Sequence, residues 1–145
     1  MDEALSPNEL RRASYLPENF TPVRERDRFD LLEGDAVVAP GISVVVTGGH
    51  QRYHQAIRVD AAGKTLLFPG DLVPTAAHVD PPYIMAYDHF PLDTLRMKKR
   101  LLGQAAEAGW VLCLVHERET PLGRVARDGA RFRFLPLLPD DEAWA

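Results

Sequence analysis

Cysteine is almost missing from this sequence: Cys113 is the single one among 145 residues. No disulfide can close within the chain, and no thiolate cluster can hold zinc. Its place in the apolar run 110–115 suits a small core residue. Long hydrophobic runs are lacking too. Nothing approaches the roughly 20 apolar residues that span a bilayer, and the opening MDEALSPNELRR has no apolar segment of the kind a signal peptide or anchor needs. Nor is there an excess of one charge: 17 basic residues face 21 acidic ones, a net charge of -4, with both signs scattered. That speaks against a nucleic-acid footprint. A cytoplasmic protein that binds neither membrane nor nucleic acid is expected.

What is present suits one globular domain over residues 1–145, with 46% hydrophobic residues to build a core. Ser6-Pro7-Asn8-Glu9 reads as a capping box opening a short helix toward Tyr15. The polar stretch 16–27, with Pro17 and Pro22, reads as an extended connector, so that 1–28 is helix plus connector and 29–145 carries the chemistry. From Phe29 onward come β-rich runs, FDLL, AVVA, ISVVVT, YHQAIRV and KTLLF. The Asp60-Ala61-Ala62-Gly63 turn should pair the last two as a hairpin. A loop with four prolines runs from 70 to 91, and loops of that length are usually functional. Helical periodicity follows over 92–108, with Leu95, Leu102 and Ala106 on one stripe beside Leu92 and Ala105. Gly109 stops it. WVLCLV at 110–115 reads as a strand buried on both faces, and a last hairpin should turn at Asp128-Gly129.

Three polar residues each follow an apolar strand: His50 closes ISVVVTGGH, Asp71 closes KTLLFPGD, and His116 closes WVLCLVH. Glycines before His50 and Asp71 permit sharp turns and close approach to a ligand. Imidazole and carboxylate are zinc-type donors, and three of them with a water suit metal-assisted hydrolysis. The same residues suit plain structural roles: a capping or turn position for His50, an N-cap or Asx-turn for Asp71, and an exposed strand end for His116. His54, His78 and His89 are less specific.

GISVVVTGGHQRYHQAIRVDAAGKTLLFPGDLVP resembles the central part of metallo-β-lactamase-fold hydrolases, in which one strand ends in glycine-histidine, a second histidine follows four residues on, and a later strand ends in glycine-aspartate. WVLCLVHERETPLGRV resembles that family's last ligand strand. ELRRASYLPENF and TAAHVDPPYIMAYDHFPLDTL extend the likeness toward a lactonase-like bacterial branch, so nearly the whole chain is covered. The resemblance implies an α/β (α+β) fold, half of an αββα sandwich, with one mostly antiparallel mixed sheet flanked by helices. It also implies that His50 serves a first metal, His116 a second, and Asp71 bridges them, with a hydroxide between two zinc ions attacking an ester, lactone or similar carbonyl. His54 matches the family's second histidine as a supporting residue, and His78, Tyr83 and Tyr87 are candidates for lining the pocket.

Two departures from that family stand out. Gln51-Arg52-Tyr53 follow His50 where the family has threonine and proline, so the surroundings of the turn should differ. The family's His-x-His-x-Asp-His motif, which completes the first site, does not occur in these 145 residues. The chain resembles the second half alone. That implies a small-molecule substrate only for a completed site, with partial or no zinc in this chain by itself and little hydrolysis. An open sheet face and edge imply association, either as a homodimer or with a complementary N-terminal half. The competing expectation is an inactive fold remnant serving as a dimerisation or binding module.

Overall fold

Alternating β-branched runs and one long amphipathic segment dictate the architecture of the computed structural model, which describes residues 15–138. The chain divides into two units, residues 1–33 and 34–145. In the first, the described element is helix α1, Pro17–Glu25, where an extended connector was expected. Pro17 is the reason: at the first helical position its missing N–H costs nothing and its fixed φ favours the helix. Glu18 in the first turn and Arg24 in the last complement the dipole. Pro22 sits inside the helix and removes one hydrogen bond without ending it. The helix expected from Pro7 falls almost wholly outside the described residues.

The second unit is built on one seven-stranded sheet in sequential order. Its strands are β1 (Ala36–Ala39), β2 (Ile42–Val46), β3 (Gln55–Ala61), β4 (Lys64–Phe68), β5 (Val111–Cys113), β6 (Leu122–Asp128) and β7 (Arg131–Pro136). All neighbours pair antiparallel except β4 and β5. Those two are joined through a long loop and helix α2, Pro91–Ala108, because a parallel neighbour needs a crossover. The architecture is the mixed, mostly antiparallel sheet expected. FDLL is irregular rather than a strand, and β3 begins at Gln55 because Tyr53 and His54 belong to the preceding turn.

Helix α2 lays Leu101, Leu102 and Ala105 against Ala56, Leu67, Leu112, Val125 and Phe132 of the sheet, with Leu72, Val73 and Val79 of the loop closing the core. Its buried stripe is rotated from the one expected: Thr94 and Lys98 are buried and Leu92 is 70% exposed. The two polar residues can lie inside because each has partners. Thr94 donates to Asp88 Oδ2 at 2.7 Å, and Lys98 Nζ donates to the carbonyls of Asp80 and Tyr83 at 3.0 and 2.7 Å. Gly109 ends the helix in the left-handed conformation.

Across β2 to β5, register puts Val44, Ile57 and Phe68 on one sheet face with Val59, Leu66 and Val111, opposite the face that carries Ala56 and Leu67. Among the described residues of this unit the one α-helix lies on the Ala56 face, and Ile57 on the other is 38% exposed. Cys113 is half-buried, and that burial raises its thiol pKa. No helix of the described residues is long and apolar enough to cross a membrane.

Candidate metal centre

Strand parity assembles the site. β2 and β4 are each antiparallel to β3, and β5 is parallel to β4, so β2, β4 and β5 run the same way. Their C-terminal ends share one edge of the sheet, the position where open α/β sheets build ligand sites. His50, Asp71 and His116 follow those three ends.

The turn after β2 is held against the start of α2. Gly49 takes φ +82° and lies so close to Thr94 that a Cβ there would stand 2.9 Å from its backbone N and Cα. Phe90 N–H donates to Gly49 O at 2.9 Å and His89 N–H to His50 O at 3.3 Å. His50 Nδ1 then meets Asp88 Oδ1 at 3.0 Å, and the Asp88 side chain is 1% exposed. The His50 Nε2 faces Asp71 Oδ2 at 3.6 Å.

Asp71 reaches the same place through Gly70, at φ +54°, whose Cβ would stand 2.8 Å from His54 Nε2. That nitrogen accepts the Asp71 N–H at 3.1 Å, so the proton of the neutral ring lies on Nδ1, which contacts Thr47 Oγ1. The Thr47 hydroxyl has carbonyls of Gly48 and His54 to donate to. Burial, and then the neighbouring His50, lower the His54 pKa against the pull of Asp71 and Asp88. A neutral His54 with both nitrogens engaged holds the Asp71 turn in place.

His116 extends beyond β5, its N–H donating to Pro74 O at 2.9 Å, and its Nε2 lies 3.0 Å from Asp71 Oδ1. Glu117 beside it accepts the Ala76 N–H at 3.0 Å, tying this strand end to the loop. The Asp71 carboxylate therefore has one imidazole at each oxygen. A cavity of about 400 Å³ adjoins it, lined by Pro74, Thr75, His78, Ile84, Met85, Ala86, Tyr87 and His116. His78 Nδ1 meets Thr75 Oγ1 at 2.8 Å. Its pKa is lowered by burial and by the Lys98 charge. The Tyr87 ring stands edge-on to His50 with centroids 6.0 Å apart. Tyr83 belongs elsewhere, lining a cavity with Leu95, Lys99 and Arg131.

The donors suit zinc in kind and fall short in number. Two imidazole nitrogens flank a carboxylate, yet no group of three His, Cys, Asp or Glu among the described residues is disposed to hold an ion by itself. Gln51, the residue departing from the expected turn, buries its Oε1 without a hydrogen-bond partner among the described residues.

The sequence model of the metallo-beta-lactamase superfamily matches residues 2–116. The chain belongs to that superfamily. Among solved structures this superfamily chain is similar to a probable metal-dependent hydrolase from Staphylococcus aureus, with 24% identity and TM-score 0.81 over 94% of this chain and 49% of that one. It is also similar to the hydrolase AbOPH of the beta lactamase superfamily, with 19% identity and TM-score 0.75 over 97% of this chain and 53% of that one. A third is AidC, a dizinc quorum-quenching lactonase bound to a product, with 15% identity and TM-score 0.73 over 93% of this chain and 47% of that one. At these identities the likeness is one of fold. The chain spans about half the length of the structures it matches. No curated protein matches it.

Asp88, Thr94, Lys98 and Glu117 escaped the sequence reading. The signal for Lys98 was its place four residues after Thr94 and three before Leu101, on the stripe that proves to be buried. The contact of Asp88 with His50 carries no local signal, since the two lie 38 residues apart.

Proposed function

We propose that this chain supplies one half of a binuclear, zinc-type hydrolase acting in the cytoplasm on an ester, lactone or similar carbonyl compound. The Asp71 carboxylate with His50 and His116 at its two oxygens carries this reading, because a carboxylate so flanked can join two ions, each also held by one imidazole. Metal ions there would polarise the substrate carbonyl and lower the pKa of a water. The chain's own residues do the rest: His54 fixes the Asp71 backbone, and the cavity beside His116 offers Ile84 and Met85 to an apolar portion of the substrate and His78 and Tyr87 to a polar one. Zinc retained after gentle purification should fall to background in a His50→Ala/Asp71→Ala double variant. Equal metal content in both proteins refutes the ligand assignment.

The remaining donors would come from a partner, a complementary N-terminal half or a second copy, covering the partly exposed apolar patch of Ile57, Val59, Leu66 and Phe68. That face supports the association and also the second reading, an inactive binding module. The chain is expected to sediment as a dimer or larger species, and a monomer with a sharp melting transition contradicts association. A dimer with no metal and no hydrolysis favours the module.

A further inference from the structure

We propose that Asp88 is the positioning residue for His50, holding the imidazole as the Nδ1–H tautomer so that the Nε2 lone pair points to Asp71. The proposal rests on reading His50 as a metal ligand. Asp88 lies two residues before Phe90, the N-cap of α2, and α2 has no side-chain cap hydrogen bond, so its carboxylate is not engaged in capping. Its oxygens are divided otherwise: Oδ2 accepts the Thr94 hydroxyl at 2.7 Å and Oδ1 faces His50 Nδ1 at 3.0 Å. A carboxylate at 1% exposure requires such donors. Among the described residues two carboxylates face His50, and Asp88 at 3.0 Å is within hydrogen-bond distance while Asp71 stands at 3.6 Å. The contact is rigidly built, since Thr94 grips Asp88 and packs at the same time against Gly49, the residue before His50. A ligating histidine whose second nitrogen donates to a carboxylate is fixed in ring orientation and made a stronger donor.

The test uses the full chain, metal-free, with ¹⁵N-labelled histidine, at about pH 8.5, followed by zinc titration against a competing chelator dye. In the parent protein the His50 ring should show the Nδ1–H tautomer. Asp88→Asn keeps an acceptor without the charge, so the tautomer should persist while zinc affinity falls. Asp88→Leu should shift the ring toward Nε2–H and weaken zinc binding by about 10- to 100-fold. Nε2–H in the parent, or an unaltered tautomer in Asp88→Leu, overturns the proposal. So does unaltered zinc affinity in both variants while His50→Ala lowers it. Should Asp88→Leu fail to fold, Asp88→Asn decides, unaltered affinity counting against the proposal. If His50→Ala leaves zinc binding unaltered, the ligand reading falls, and the tautomer measurement still decides what Asp88 does to His50.

Discussion

Replacing Gly49 with alanine is expected to cost about 2–4 kcal/mol of stability, as two penalties add: about 1 kcal/mol for a Cβ in the left-handed region and about 1–3 kcal/mol for overpacking. The second arises because the new methyl would meet the Thr94 backbone N and Cα at 2.9 Å, atoms that cannot rotate aside. Gly63→Ala is the control. Gly63 has φ +73° with nothing among the described residues within 4 Å of a Cβ, so it carries the conformational penalty alone, about 1 kcal/mol. Denaturant unfolding of the two variants separates the terms. Equal losses would mean that the turn bearing His50 is not clamped to α2. A larger loss in Gly49→Ala should be accompanied by weaker zinc binding, since the displaced Thr94 is the donor that holds Asp88.

Lys98 gives the second large effect, and its sign follows from burial. The ammonium is fully buried against the carbonyls of Asp80 and Tyr83. That burial lowers its pKa from 10.5 to about 8, against the opposing attraction of Asp80 and Asp88. Below pH 8 the folded and unfolded chains both carry the proton, and the cost of the buried charge is fully present. From pH 8 to 10.5 the unfolded chain holds the proton that the folded chain has lost, so stability rises with pH. A shift of this size corresponds to about 3 kcal/mol. The opposite slope from Cys113, whose pKa burial raises, is common to wild type and Lys98→Met and cancels in their difference. Urea unfolding at pH 7 to 10.5 should therefore show wild type gaining about 3 kcal/mol on the variant. Parallel stability curves would contradict the buried charge.

Much of this fold was legible as pattern. AVVA and KTLLF coincide with β1 and β4, and Gly109 ends α2 where expected, because β-rich runs bounded by glycine or proline and a left-handed stop are local properties. The three strand-end residues could be picked out because each follows an apolar run directly. Their approach to one another was implied by the resemblance to the metallo-β-lactamase fold and not by pattern, since it depends on strand direction and on a crossover spanning more than 40 residues. The errors have physical causes as well. Two prolines in the stretch 16–27 suggested extended chain, but Pro17 lies where a helix tolerates proline. On α2, Leu92 shares the apolar stripe of the sequence yet is exposed, because hydrogen-bond partners let Thr94 and Lys98 go inside instead. The contact of Asp88 with His50 is tertiary, and no periodicity encodes it.

The common direction of β2, β4 and β5 gathers the β1–β2, β3–β4 and α2–β5 connections at the other end of the sheet, where Asp60 N–H donates to Gly41 O at 2.7 Å. With strands of five to seven residues, that end stands roughly 15–20 Å from the ligand-bearing edge. The exposed Ala62-Gly63 tip is thus an attachment point for a fluorophore or a surface tether. A reporter placed there would leave the metal-facing edge open to solution while a partner or substrate is titrated onto it.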